Sequence, residues 1–321
     1  IRASWTDFNP QEDVYGWKID SNLRAYIEGA YQRNMRLAFR VVVDSRDKRT
    51  EFTPQFVKDA GAKGFMNKGK WSPYSDDPVF QKYYTKFVKA LAKDFNDPSK
   101  VEFIDGFGLG KWGEYHTMIY STGDDTPKKA VFDWVTDIYS QAFDKVPVVI
   151  NYHRWIGAGK DWVDDEHFAA DSEEMLEEAI KKGYSLRHDA FGMTTYYGSW
   201  ERRFAKKYRN ICPIIMEGGW IVKSHSYWQD PRGYRKDSHE DVRRGEFDDS
   251  KEAHVNMMDF RFGDTESWFK DAFDLVRRFL REGGYRLYPS EISLPLEVSK
   301  KTTPTIKHCW NNLGWGYCPT N

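Results

Sequence analysis

Hydrophobic side chains along the chain follow two spacings, short β-rich runs and longer segments of helical period. Between Pro78 and Phe95 the apolar positions recur every three to four residues, Asp77 can cap the first turn, and Pro78 suits a position inside it. This pattern predicts a helix over 78–95. Similar spacing predicts further helical segments at 21–33, 54–60, 127–144, 172–182, 201–208 and 267–281.

Runs rich in Val, Ile, Phe and Tyr separate these helices. They predict eight strands, at 3–8, 36–44, 61–67, 101–109, 147–153, 188–197, 211–217 and 285–294. Parallel neighbours need crossover connections, and right-handed crossovers close such a sheet. We therefore predict an α/β fold, a (β/α)8 barrel over residues 1–292.

An open, doubly wound sheet is the alternative arrangement of the same elements. That fold binds nucleotides through a G-x-G-x-x-G turn between its first strand and first helix, and this chain has none there. The stretch GFGLGKWG, 106–113, matches the pattern only loosely and follows the fourth strand. Nucleotide binding is not expected.

Two segments depart from the βα alternation. The highly charged segment 223–254 is too long for a simple connector and is predicted to be a lid or binding loop. After about residue 293 the helical periodicity ends, which predicts a β-rich, β-sandwich-like extension over 293–321. The chain is thus expected to be one barrel with a short C-terminal appendage.

Composition narrows the expected partners. The chain has 321 residues, with 48 basic and 49 acidic side chains and no basic run, so nucleic acid is not an expected partner. No apolar stretch has the roughly 18 residues of a membrane span. Aromatic residues make up 17% of the chain and include 13 Trp, and such surplus rings often stack on sugars. Oligomeric state is left open.

The termini and the three cysteines bear on compartment. The chain opens with IRASWTDF, without Met, so the N-terminus looks trimmed and a signal peptide would not be visible. Cys212 lies in an apolar strand and is predicted to be a buried thiol, whereas Cys309 and Cys318 could pair only in an oxidising compartment. A periplasmic or extracellular location is favoured and remains open.

Two carboxylates follow predicted strands at the end where barrel active sites form. Glu114 stands in FIDGFGLGKWGEYH, beyond strand four, and Glu217 closes strand seven. Glycoside hydrolysis needs such a pair, one acid to protonate the leaving oxygen and one carboxylate facing the anomeric carbon. A structural ion pair and non-catalytic ligand binding are the alternative roles for these side chains.

The order of these elements resembles the clan A retaining glycoside hydrolases, in which the fourth-strand Glu is acid/base and the seventh-strand Glu is nucleophile. The stretches SWTDFNPQEDVYGW, 4–17, and SPYSDDPVFQKYYTKFVKALAKDF, 72–95, resemble family 42 β-galactosidase-like barrels. KWGEYH, 111–116, resembles a segment of uncharacterised bacterial barrels with a β-sandwich tail.

The resemblance implies a retaining double displacement on an oligosaccharide or polysaccharide, with a β-galactosidase-like activity as one form. Glu217 would be the nucleophile and Glu114 the acid/base, with their carboxyl groups about 5–5.5 Å apart. A gap of about 8 Å or more would favour inversion. No cofactor is implied.

One position departs from the clan pattern. Most members have Asn directly before the acid/base Glu, where it binds the sugar 2-hydroxyl, and this chain has Gly113. A barrel that binds carbohydrate without cleaving it is therefore the alternative function. An aldolase or isomerase is a third, but no convincing strand-end Lys or phosphate-binding glycine loop supports it.

Supporting residues are predicted from their positions at strand ends. Arg40, within strand two, can keep the nucleophile ionised or can neutralise Asp105 or Asp44 instead. The resemblance implies that Tyr196 or Tyr197 hydrogen-bonds Glu217. The Trp residues can stack on sugars or pack in the core. The predicted substrate-binding set is Trp5, Arg40, Trp112, His116, Asn151, His153, Trp155, Tyr196, Tyr197, Trp200 and Trp220.

Other chemistries find less support in the sequence. His225, His239 and His254 fall in the charged segment, but no His-x-x-x-His or paired Cys spacing for zinc is present, so no metal is predicted. There is no G-x-S-x-G for a serine nucleophile, and Cys212 lies inside its strand and not at the end.

Overall fold

The computed structural model describes residues 1–46, 50–160, 166–189, 191–192, 196–219, 239–260, 266–301 and 303–319. The chain divides into two compact units, Ile1–Ser185 and Leu186–Asn321. This division falls inside a strand, and the barrel boundary near residue 292 stays a prediction.

The first unit is built on parallel strands. These are β1 (Arg2–Ser4), β2 (Leu37–Val42), β5 (Val101–Asp105) and β6 (Val148–Asn151), in the sheet order β1-β2-β5-β6. Its helices are α1 (Trp5–Phe8), α2 (Gly16–Ile19), α3 (Ser21–Gln32), α4 (Gln55–Asp59), α5 (Pro78–Phe95), α6 (Lys128–Ala142) and α7 (Glu166–Lys181).

Helix α5 has the predicted bounds, because its signals are local. The Asp77 carboxylate accepts from the amides of Val79 and Phe80, and seven apolar residues of the helix are buried on one face. The first predicted strand is shorter than expected, since Ser4 and Asp7 form a capping box that starts α1 at Trp5.

The predicted third strand is not part of the parallel sheet. Residues Gly64–Asn67 (β3) pair antiparallel with Lys70–Pro73 (β4). Lys68 and Gly69 between them both have left-handed backbone, with φ of 48° and 77°, which is the geometry of a tight two-residue hairpin turn. Strand β2 therefore pairs directly with β5.

The second unit continues the parallel pattern. Strands β7 (Ser185–His188), β8 (Ile214–Met216) and β9 (Met257–Met258) pair in parallel in that order. Its helices are α8 (Ser199–Tyr208), α9 (His239–Glu252), α10 (Glu266–Lys270) and α11 (Phe273–Glu282). Strand β7 lies earlier than the predicted 188–197, and α10 with α11 replaces one predicted helix.

The predicted eighth strand also belongs elsewhere. Strand β10 (Leu287–Ser293) pairs antiparallel with β11 (Lys307–Asn312) in a separate two-stranded sheet, and the extension over 293–321 stays a prediction. The last parallel strand in the described residues is β9, whose two methionines are too few to show a period. Helix α9 occupies part of the segment predicted to be a loop.

Parallel strands joined by helices confirm the α/β class and the βα succession of the predicted barrel. Seven parallel strands are described where eight were predicted. Glu114 consequently follows the third of them along the chain and Glu217 the sixth, so their spacing of three strands is kept while both strand numbers change. No helix in the described part of the chain is long and apolar enough to cross a membrane.

Candidate active site

A tight turn beyond β5 carries Glu114 into the interior of the first unit. The Lys111 amide donates to the His116 carbonyl at 2.9 Å, which closes the turn. Trp112, Gly113 and Tyr115 have φ of 63°, 75° and 63°, all in the left-handed region. The Glu114 side chain is thereby buried.

The turn explains why glycine occupies position 113. A Cβ there would lie 3.3 Å from Gly108 Cα and 3.3 Å from Val42 Cγ2, closer than most carbon contacts allow. The positive φ adds strain for any other residue, although Asn tolerates it best. Gly113 is thus fitted to this backbone path.

Arg40 binds two carboxylates of the first unit. Its Nε lies 2.7 Å from Asp105 Oδ2, and its Nη1 lies 2.6 Å from Glu114 Oε1. Arg40 and Asp105 are direct partners in the register of β2 and β5. All three side chains are buried, where a charge is stable only if it is paired. Arg40 therefore pairs with Asp105, which was one of the alternatives from the sequence, and it also pairs with Glu114.

His153 contacts the backbone of Glu114. The Trp155 amide donates to His153 Nδ1 at 3.2 Å, so Nδ1 is an acceptor without a proton. The proton of the neutral ring therefore lies on Nε2, which donates to the Glu114 carbonyl at 2.8 Å. This fixes both the tautomer and the orientation of His153.

His116 stacks on His153 and approaches Glu114. The two imidazole centroids lie 4.2 Å apart with an interplanar angle of 7°. His116 Nε2 lies 3.9 Å from Glu114 Oε2, so Arg40 and His116 approach different oxygens of one carboxylate. The predicted residues Arg40, Glu114, His116 and His153 therefore belong to one buried cluster.

Glu217 has an arginine partner within the second unit. Arg187 on β7 donates through Nη1 to Glu217 Oε2, and both side chains are buried. The pairing follows from the sheet, since Arg187 lies opposite Ile215 and the Glu217 amide donates to the His188 carbonyl at 2.9 Å. Arg187 was not predicted, because the strand that carries it was expected to begin at residue 188, one position later.

Several predicted sugar contacts are buried aromatic residues. Trp5 is fully buried in the core, where it packs edge-on against Phe80 and Tyr84, so this packing replaces the substrate role predicted for it. Trp155 is 1% exposed, with the Arg154 guanidinium 3.9 Å from its ring centroid.

Two further aromatic candidates are buried in the second unit. The ring of Trp200 stacks on that of Phe204, with centroids 5.0 Å apart. Tyr197 packs against His188 and Phe191, and its hydrogen bond to Glu217 stays a prediction.

The remaining candidates differ in accessibility. Trp112 is partly exposed, with Lys111 Nζ 4.1 Å from its ring centroid, and Tyr196 is also partly exposed. Asn151 is buried at the end of β6, and its Oδ1 has no hydrogen-bond partner among the described residues. Trp220 lies outside the described residues.

Within the described ranges, no group of three or more His, Cys, Asp or Glu side chains is placed to hold a metal ion. His225 lies outside these ranges. The three cysteines are free thiols, with Cys212 buried and Cys309 exposed.

No protein-family model matches the chain, and no curated protein matches it. Similar solved structures include endo-glycoceramidase II from Rhodococcus sp., which is 12% identical to this chain. The match covers 91% of this chain and 72% of that chain, with a TM-score of 0.47. Its lactosyl-enzyme intermediate matches at 13% identity and a TM-score of 0.38, over 68% of this chain and 63% of that one.

Another similar structure is an endo-1,4-β-xylanase from Caldicellulosiruptor owensensis, at 11% identity over 81% of this chain and 75% of that one, with a TM-score of 0.42. An exo-β-1,4-mannosidase from Opitutaceae bacterium strain TAV5 matches at 13% identity and a TM-score of 0.46, over 85% and 47% of the two chains. At these identities and TM-scores, the likenesses do not assign a function to this chain.

Proposed function

We propose that the protein is a retaining glycoside hydrolase that acts on an oligosaccharide or polysaccharide, with Glu217 as nucleophile and Glu114 as acid/base. One observation carries the proposal: each glutamate follows a parallel strand, is buried, and is paired with an arginine from the neighbouring strand of its own unit. The two glutamates are assigned to one reaction by their chain positions, three strands apart.

Arg187 supports the nucleophile role of Glu217. A nucleophile must be ionised when the substrate binds, and a guanidinium in contact with a buried carboxylate favours the charged form. The Glu217 carboxylate would attack the anomeric carbon and form a glycosyl-enzyme, while the leaving oxygen takes a proton from Glu114. Water would then cleave the intermediate after transferring its proton to Glu114.

Arg40 supports a different role for Glu114. Its Nη1 lies 2.6 Å from Glu114 Oε1, so the carboxyl group that must deliver a proton to the leaving oxygen is held in place. His153 supports the same role by holding the Glu114 backbone, since proton transfer requires a fixed donor position.

Sugar contacts are part of the proposal. Asn151 has a buried, unpartnered Oδ1 among the described residues, and this acceptor would bind a sugar hydroxyl. Trp112 offers a partly exposed ring for stacking. Tyr196, Tyr197 and Trp220 are kept as proposed contacts from their positions in the sequence alone.

The experiment begins with the substrate. The purified protein is incubated with a panel of oligosaccharides and chromogenic glycosides, galactosides first, and products are identified by mass spectrometry and by NMR of the first-formed anomer. A retaining enzyme releases the product with the anomeric configuration of the substrate. Release of the opposite anomer would overturn the retaining assignment.

Two variants then test the assigned roles. Glu217→Gln should abolish turnover of every glycoside, because no nucleophile remains. Glu114→Gln should lose activity on substrates with poor leaving groups. It should keep part of its activity on a dinitrophenyl glycoside, whose leaving group needs no acid, and azide should restore the second step, cleavage of the glycosyl-enzyme. Glu102→Gln and Glu252→Gln, at less buried glutamates of the two units, are the matched controls and should retain turnover. Full activity in Glu217→Gln would show that Glu217 is not the nucleophile.

A carbohydrate-binding barrel without hydrolysis is the second candidate. Gly113 favours it, because the side chain that binds the sugar 2-hydroxyl in most clan A members is absent. Intact oligosaccharide bound to the wild-type protein, with no product after prolonged incubation, would support binding alone. Detectable product whose formation requires Glu217 would exclude this candidate.

A further inference from the structure

Helix α9 buries a row of charged side chains in the second unit. Arg243 and Glu246 are fully buried and Asp249 is 1% exposed, and their spacing of three places them along one side of the helix. Arg243 Nη1 lies 2.7 Å from Glu246 Oε2, and its Nε donates to Ser267 Oγ at 2.8 Å. Burying a charged side chain costs free energy unless ion pairs and hydrogen bonds offset it, so the bonds that these side chains make are needed to keep them buried.

The carboxylates of this row bind the loops that follow two neighbouring strands. The Gly219 amide, two residues beyond Glu217, donates to Glu246 Oε1 at 3.3 Å. The Gly192 amide donates to Asp249 Oδ2 at 2.7 Å. Gly219 follows β8 and Gly192 follows β7, the strands associated with Glu217 and Arg187. One helix face therefore holds both loops.

Close backbone contact reinforces this attachment. Gly192 has φ of 76°, and a Cβ there would lie 2.6 Å from the Glu246 amide nitrogen and 2.7 Å from the Gly245 carbonyl carbon. Only glycine permits that approach, because any side chain would collide with helix backbone. The loop after β7 is thus seated directly on α9.

We propose that Glu246 and Asp249 are positioning residues that hold Glu217 on Arg187, and this rests on the proposed function, in which Glu217 is the nucleophile. Glu246 fixes the backbone just beyond Glu217, and Asp249 fixes the loop beyond the strand that carries Arg187. A shift of about 1 Å in a reacting group can lower a rate by about a hundredfold, so these contacts bear on catalysis.

Two substitutions at Glu246 test whether the hydrogen-bond acceptor of this side chain holds Gly219. Glu246→Gln keeps an oxygen that can accept from the Gly219 amide, whereas Glu246→Leu removes it. Glu252→Gln and Glu252→Leu, at an exposed residue of the same helix, are the matched controls. Amide exchange at Gly219 is measured by mass spectrometry with residue-level fragmentation, beside kcat and KM for a glycoside that the wild-type protein cleaves.

We expect exchange at Gly219 to rise about tenfold in Glu246→Leu, as loss of one hydrogen bond implies, and to stay closer to wild type in Glu246→Gln. We expect kcat to fall at least about tenfold in Glu246→Leu with KM within about twofold, and partial rescue in Glu246→Gln. If Glu246→Leu does not fold, Asp249→Ala removes the acceptor for the Gly192 amide, and its amide exchange at Gly192, kcat and KM are compared with those of Asp248→Ala.

The outcomes distinguish the two proposals. Unchanged Gly219 exchange in a folded Glu246→Leu protein, or unchanged kcat beside altered exchange, would overturn the positioning role and leave the hydrolase intact. A wild-type protein that cleaves no glycoside, with faster Gly219 exchange in Glu246→Leu, would overturn the proposed function while the attachment of the loop to α9 stands.

Discussion

Arg40 Nη1 lies 2.6 Å from Glu114 Oε1, with both side chains buried in the first unit. Removal of the guanidinium in Arg40→Met would leave Glu114 and Asp105 without this counter-charge. We expect a loss of about 3–5 kcal/mol in the free energy of unfolding near neutral pH, measured by urea denaturation.

Arg36→Met is the matched control for this substitution. Arg36 forms an ion pair with Glu102 in the same unit, with about half of each side chain exposed. Its removal should change the free energy of unfolding by less than about 1 kcal/mol. Equal losses of unfolding free energy in the two variants would show that the buried ion pairs of Arg40 stabilise the fold no more than an exposed pair does.

Local signals allowed much of the fold to be predicted. The bounds of α5 follow from a capping Asp, a first-turn Pro and a regular apolar face, all within one segment. The β3–β4 hairpin had a local signal too, in the Lys68-Gly69 turn, but the eight-strand expectation favoured a parallel strand there. Strand β9 has two residues, and pairing with β8, not periodicity, defines it.

Helix α9 was missed for a different reason. Charged side chains normally mark the solvent side of a helix, so a segment with Arg243, Glu246 and Asp249 resembles a solvated loop. In the structure these residues are buried and bonded to backbone and to one another. Hydrophobic periodicity carries no information about such a face.

The partners of the two glutamates could not be predicted from spacing. Arg40 and Glu114 are 74 residues apart, and Arg187 and Glu217 are 30 apart. The sequence made both glutamates and one arginine candidates, because a charged residue in or after an apolar run is visible locally. Which arginine meets which glutamate depends on strand neighbours, and the direct pairing of β2 with β5 became clear only in the structure.

Gly113→Asn tests whether the turn that carries Glu114 tolerates a side chain at this position. The added Cβ would meet Gly108 and Val42 at 3.3 Å, so we expect a loss of about 1–3 kcal/mol in the free energy of unfolding. Gly123→Asn is the control, because its φ of 80° is similar and no atom lies within 4 Å of the Cβ position. The control should lose less than about 1 kcal/mol. Similar losses in both would attribute the effect to φ alone.

Trp5 and Trp112 should respond in opposite ways to truncation. Trp5→Ala empties a core site surrounded by aromatic rings, so we expect a loss of about 3–5 kcal/mol by urea denaturation. Trp112→Ala removes a partly exposed ring and should change stability by less than about 1 kcal/mol, while weakening binding of an oligosaccharide measured by calorimetry. If a folded Trp5→Ala protein bound the oligosaccharide more weakly while Trp112→Ala bound it as wild type does, Trp5 and not Trp112 would be the substrate contact.

Cys212 should be inert to thiol reagents in the folded protein. Burial disfavours the thiolate and raises the pKa of Cys212 to about 12, so only about one thiol in ten thousand is ionised near pH 8. In the Cys309→Ser/Cys318→Ser double variant Cys212 is the one remaining cysteine of three. That variant should react with a disulfide dye only after denaturant is added, whereas Cys212→Ser, which keeps the exposed Cys309, should react at once. Rapid labelling of the folded double variant would show that the segment around Cys212 opens readily.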